Sequence, residues 1–266
     1  MKNSAYIGRI NFEAYGVRIG VQVNDPQAIA EIKKILPVRS QILSEDDATE
    51  HNFSLVWGED ETREDILYRE NEEVARRVDA DRLVALLDTC IRMAMGEYAP
   101  RHIFLHAGVV GWKGEALIFP AKSYSGKTTL VAELIKMGAL YYSDEYAVID
   151  EDGLVHPYPK PLSLRKEGEF KQTDRTIEEL GGTQATEPIP VKLVFLTEFE
   201  RGAPWAPQIL TPGQGLLELL PHALGLRFNP EFVFKLLNLI GEHAIIASSK
   251  RGEVSEFASL ILNFTE

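Results

Sequence analysis

The run Ser125-Gly126-Lys127-Thr128-Thr129 sets a residue without a side chain beside a mobile cation and several hydroxyls. It follows the apolar stretch Ala116-Leu117-Ile118-Phe119 and leads into a helix-like segment, the strand, loop and helix order of a phosphate-binding loop. In such a loop the backbone N–H groups of Ser123, Tyr124, Ser125, Gly126 and the first helical residues, through Thr129, cradle phosphate oxygens. Gly126 lets the backbone approach closely, Lys127 supplies a positive charge, and the Thr128 hydroxyl is a magnesium ligand. The ligand expected is ATP with Mg2+. Ala121 stands where the pattern G-x-x-x-x-G-K-[ST] begins with glycine, so a positive backbone φ there would be strained. The plainer alternative is an ordinary strand-to-helix turn. Apolar strand, Gly-Lys-Thr-Thr and amphipathic helix together favour the phosphate site.

A phosphate loop needs carboxylates to hold a metal and to take a proton from an attacking hydroxyl. Asp144 and Glu145 follow Leu140-Tyr141-Tyr142-Ser143 directly after the loop's helix. A parallel neighbouring strand would deliver both at its C-terminal end beside the loop. Thr128, Asp144 and Glu145 are therefore the expected metal ligands. The segment His156 to Arg165 adds Lys160 and Arg165 at the edge of this site, and the surrounding prolines could aim Lys160 at the nucleotide. The sequence contains no H-E-x-x-H, no paired C-x-x-C, no G-x-G-x-x-G and no G-x-S-x-G. His51, His102, His222 and His243, with Trp57, Trp112 and Trp205, read as surface or packing residues.

The elements that must position these residues follow from periodicity. Tyr6 to Phe12 and Val17 to Val23 read as a hairpin, and Asp25-Pro26 as the start of a helix carrying Ile29, Ile32 and Ile35. Phe53 to Trp57 and Ile66 to Tyr68 read as strands. A long helix spans Asp79 to Tyr98, with Leu83, Leu86, Leu87, Cys90, Ile91, Met93 and Met95 on its apolar side and Cys90 as a small buried residue. Residues 1–99 thus form a small α+β unit. From residue 100 to 266 strands alternate with helices, as in an α/β core. Strands are expected over Phe104 to Val110, Glu115 to Phe119, Leu140 to Ser143, Tyr146 to Ile149, Val191 to Thr197 and Ala244 to Ala247. Helices are expected over Gly126 to Met137, Pro212 to Leu220, Pro230 to Ile240 and Val254 to Leu262.

The chain has 266 residues, 45% of them hydrophobic, enough for a substantial core. Lys+Arg 28 against Asp+Glu 40 gives a net charge of -12, which repels nucleic acid and anionic membrane surfaces. One cysteine, no apolar leader and no run of membrane-spanning length point to a soluble cytoplasmic protein.

His106 in Leu105-His106-Ala107-Gly108, the loop ending Gly126-Lys127-Thr128, the helix through Glu133 to Gly138 and Ser143-Asp144-Glu145 resemble HPr kinase/phosphorylase and its kinase-like relatives. The likeness is close over about residues 100 to 165 and looser beyond. It implies a mixed-sheet P-loop kinase core, similar to that of ATP-dependent phosphoenolpyruvate carboxykinase. It also implies that Asp144 is the base on the acceptor hydroxyl, that Glu145 helps hold magnesium in place of the family's second aspartate, and that His106 lies near the transferred phosphate with Lys127. The expected function is γ-phosphate transfer to a serine-like hydroxyl of a small molecule, peptide or protein. A non-catalytic ATP sensor is the alternative from another class, and carboxykinase chemistry a third. The expected partners are the nucleotide and the acceptor, with homo-oligomerisation left open.

Overall fold

A computed structural model of the chain describes residues 6–57, 64–76, 79–120, 126–165 and 172–265. The chain divides into two compact units, Met1–Arg101 and His102–Glu266. Both are mixed α/β.

In the first unit β1 (Gly8–Ala14) and β2 (Val17–Val23) form an antiparallel hairpin. Its two-residue turn, Tyr15-Gly16, has both central residues at positive φ, as the twist of such hairpins favours. Helix α1 (Pro26–Lys34) follows, with the Asp25 side chain accepting from the Gln27 N–H and Pro26 in the first turn. Then come β3 (Gln41–Leu43), β4 (His51–Val56), β5 (Ile66–Arg69), β6 (Glu72–Arg76) and α2 (Ala80–Tyr98). The six strands make one mixed sheet, ordered β3-β1-β2-β4-β5-β6. Neither β3 nor β6 is legible by alternation: β3 is an edge strand of three residues, and β6 is an edge strand that is largely polar.

Asp79 caps α2 by accepting from the Arg82 N–H. Its buried stripe runs through Leu83, Leu87, Ile91, Ala94 and Met95, at helical spacing. Cys90 and Met93 were expected on that apolar side. Cys90 is only half-buried, at the edge of the stripe, and Met93 is exposed, off it.

The second unit begins with the long strand β7 (His102–Trp112), which turns at Lys113-Gly114 into β8 (Glu115–Pro120). Next are α3 (Lys127–Lys136), β9 (Leu140–Ser143), β10 (Tyr146–Asp150), β11 (Leu154–His156), β12 (Leu162–Arg165), β13 (Gln172–Arg175) and β14 (Ile189–Phe199). The chain ends with β15 (Gln208–Ile209), α4 (Pro212–Leu219), α5 (Pro230–His243), β16 (Ile245–Arg251) and α6 (Val254–Phe264). Thr211 and Gln214 form a reciprocal capping box on α4.

Strands β8, β14 and β16 are mutually parallel neighbours, while β7 runs antiparallel to β8. On its other side β7 pairs with both β9 and β10, again antiparallel. The expectation that the strand delivering Asp144 and Glu145 adjoins the loop strand is therefore corrected: β9 points the same way as β8, but β7 lies between them. Short β11 bridges β10 and the start of β14.

Alternation along the central strands builds an apolar core on each face of the sheet. Leu105, Ala107, Val109, Ala116 and Ile118 pack with Leu219, Val233, Leu236 and Ile240 of α4 and α5. Val110, Leu117 and Phe119 pack with Leu130, Leu134, Phe257 and Ile261 of α3 and α6. Helices thus cover both faces, as expected where parallel strands are buried on two sides. Trp205 stacks on Phe195 with ring centroids 5.5 Å apart, so its role is packing.

Candidate functional site

The C-terminal end of β8 opens into the loop, and helix α3 takes up the chain again at Lys127. Gly126 caps the helix with φ at +82°, a left-handed conformation that glycine adopts without strain. Lys127, Thr128 and Thr129 fill the first turn, where backbone N–H groups lack intrahelical partners and the helix dipole is positive. Ala121, Ser123, Tyr124 and Ser125 lie outside the described residues. Helix α3 lies hard against β7. A Cβ on Gly108 would approach Val131 Cγ2 to 2.6 Å and Lys127 Cγ to 3.0 Å, so the bare backbone there sets the course of the Lys127 side chain.

The carboxylates arrive from the other side of β7. Ser143 pairs with Val109 and Tyr146 with His106, and between them the pairing is interrupted at Asp144 and Glu145. The Ser143 hydroxyl accepts from the N–H groups of Glu145 (3.1 Å) and Tyr146 (3.0 Å), and the Ala107 N–H donates to the Glu145 carbonyl at 3.1 Å. Just before this break, Tyr141 to Ser143 span only Val110 and Val109, a one-residue bulge of the kind that re-aims side chains beside sites.

The Thr128 hydroxyl donates to Asp144 Oδ2 at 2.6 Å, joining the helix start to the broken strand. Asp144 Oδ1 is buried and meets no hydrogen-bond donor among the described residues. Burial pushes the Asp144 carboxyl up from 3.8 to about 6. The Lys127 charge and the Thr128 hydrogen bond oppose that rise, and Glu145 adds to it. Burial likewise lowers the Lys127 amine, with Asp144 and Glu145 pulling the other way. Lys127 Nζ lies 3.4 Å from His106 Nε2.

Glu145 makes an ion pair with Lys160, Nζ to Oε2 at 3.4 Å. The Tyr141 hydroxyl donates to the Lys160 carbonyl at 2.7 Å and so holds that segment against β9. Lys127, Thr128, His106, Asp144, Glu145 and Lys160 therefore form one connected group. Thr129 does not join it: it is exposed, because the next helical position faces away.

Arginine 251 was missed from sequence. It closes β16 opposite Phe199 and is buried, 4% exposed. A Cβ on Gly126 would overlap its guanidinium. The Phe199 ring lies beneath the same guanidinium, 5.5 Å from Cζ. The only sequence signal was a basic residue at the end of a strand and immediately before a helix.

Among the described residues no group of three or more His, Cys, Asp or Glu side chains forms a metal cage. A magnesium site does not require one. Magnesium takes one or two carboxylates together with a hydroxyl, water and phosphate oxygens, and demands oxygen donors. The orphaned Asp144 Oδ1, the Thr128 hydroxyl and the neighbouring Glu145 are such donors, so the residues fit that ion. No described helix is long and apolar enough to cross a membrane. Set against known protein families and against curated proteins, the chain matches none.

Proposed function

We propose that the second unit binds the phosphates of ATP with magnesium at the start of α3 and transfers the γ-phosphate to a hydroxyl acceptor. The observation that carries this reading is the 2.6 Å contact between Thr128 and Asp144, whose other oxygen is buried without a donor among the described residues. A buried carboxylate oxygen left unmatched is destabilising on its own, and a cation or a transferable proton relieves it.

Each residue then has a defined task. The first-turn N–H groups and Lys127 hold phosphate oxygens, and His106 keeps the Lys127 amine aimed along β7. Thr128, Asp144 and Glu145 would hold magnesium, whose charge would offset that of the phosphates. Asp144, with one oxygen on the Thr128 hydroxyl and the other buried without a donor among the described residues, is the carboxylate placed to act as base. It takes the proton of the acceptor hydroxyl while the hydroxyl oxygen bonds to the γ-phosphorus and the bond from that phosphorus to the bridging oxygen breaks. ADP leaves with that oxygen. Lys160, through Glu145, limits how far the second carboxylate swings.

Calorimetry with Mg·ATP, followed by transfer from γ-labelled ATP into cell extract, tests the proposal. Binding with transfer that depends on Asp144 is the expected result. Binding without turnover under any acceptor condition would leave a nucleotide sensor, and no binding would remove the reading altogether.

A further inference from the structure

We propose that Arg251 is a nucleotide-binding residue that holds the nucleoside-side phosphates from the flank of the loop opposite Lys127 and Asp144; this rests on the nucleotide-binding reading above. Across the site edge the strands run β9 and β10, then β7, β8, β14 and β16. Lys127 leans over β7 to His106, and Asp144 stands beyond β7, so the transfer chemistry occupies that flank. Arg251 comes from the other flank, two strands past β8, at the C-terminal end of β16. Ligands of open α/β sheets bind outside those strand ends.

The contact with Gly126 makes this placement specific. Gly126 is the last residue before the helical N–H groups, and a side chain there would displace the guanidinium. The absence of a Cβ therefore serves two ends, the left-handed cap and the approach of a cation to the loop backbone. In the proposed complex the terminal group lies beside Lys127 and Asp144, and the rest of the phosphate tail runs toward Gly126 and Arg251. Arg251 is the cation on that path. A guanidinium presents several donors in a planar fork suited to phosphate oxygens, and the Phe199 ring beneath it restrains its plane. Burial disfavours its charged form, with Glu253 opposing.

The test is calorimetry of the full chain with Mg·ATP and with Mg·ADP, for the wild type, Arg251→Gln, Arg251→Lys and Lys250→Gln. Lys250 is exposed and pairs with Glu198, so it controls for the loss of one positive charge nearby. Arg251→Gln should weaken ATP and ADP by the same factor, about tenfold to a hundredfold, as expected for charge-assisted hydrogen bonds. Arg251→Lys should recover part of this, since the charge remains and the fork is lost. Lys250→Gln should stay within about twofold, the usual range for a surface change. Raising ionic strength should weaken nucleotide binding less in Arg251→Gln than in the wild type. Unchanged affinity in Arg251→Gln would overturn the assignment, and so would a loss confined to ATP, which would put Arg251 at the terminal phosphate. If Arg251→Gln does not fold, as judged by its melting, the equal loss for ATP and ADP is read from Arg251→Lys. A wild type that binds neither nucleotide removes both proposals, whereas wild-type binding with an indifferent Arg251 removes this one alone.

Discussion

Replacing Asp144 by Asn should make the nucleotide-free protein more stable while lowering turnover steeply. Burial raises the carboxyl from 3.8 to about 6, and a rise of about two pH units corresponds to about 3 kcal/mol. The sign follows from proton uptake. Between the two values the folded state holds the proton more tightly than the unfolded state, so stability falls as pH rises through that window. The penalty is absent well below 3.8 and fully present above about 6. Asn is neutral throughout and still offers an oxygen to the Thr128 hydroxyl. It should therefore gain about 3 kcal/mol over wild type at pH 7.5 but only about 1 kcal/mol at pH 4.5. The attraction of Lys127 is already contained in that net rise. Urea denaturation of both proteins at the two pH values, without nucleotide or magnesium, measures the difference. Turnover should fall by about 10² to 10⁴ with the base removed. An equal gain at both pH values, or a less stable variant at pH 7.5, would refute the buried-carboxylate argument. Undiminished turnover would refute the role of Asp144 as base.

Lys127→Met should reduce Mg·ATP affinity by about tenfold or more in calorimetry, since a charge-assisted phosphate contact is lost. Gly108→Val would drive a side chain into Val131 and Lys127, so it should lower stability by about 1–3 kcal/mol and weaken nucleotide binding together; a variant that binds normally would separate the course of α3 from the site. Leu134→Ala empties a fully buried position under α3 and should cost about 2–5 kcal/mol in denaturant titration. Tyr141→Phe removes the hydrogen bond to the Lys160 carbonyl and should lower stability by about 1 kcal/mol, with a larger effect on turnover than on Mg·ATP affinity.

Three of the helices have starts that carry their own chemistry. Asp25-Pro26, Thr211-Pro212 and Asn229-Pro230 each set a capping side chain before proline, and the structure uses all three caps. The buried strands β7, β8 and β14 were legible as apolar runs too long for turns. What sequence could not supply was pairing. Strands β11 and β15 are two or three residues long and exist because a neighbour offers unpaired backbone, a condition set by the fold and not by local propensity. The same limit explains the carboxylates. Asp144 and Glu145 read correctly as the end of a strand, yet β7 stands between that strand and β8, and the interruption in β7 pairing lets Asp144 reach Thr128.

Arg251 marks where this limit matters for function. Locally, Ser248-Ser249-Lys250-Arg251 is a polar strand end, and Lys250 and Arg251 are indistinguishable by composition. The sheet separates them. Alternation sends Lys250 outward to Glu198 and turns Arg251 inward over Phe199, while the parallel register of β14 with β16 carries it to the level of Gly126. A one-residue slip in that register would exchange the two, exposing Arg251 and burying Lys250, so the identity of the cation at the loop is decided by strand pairing that spans more than fifty residues of chain. Residues of the loop and its helix are adjacent in sequence and could be recognised there; a residue delivered by the third parallel strand could be recognised only once the sheet was assembled.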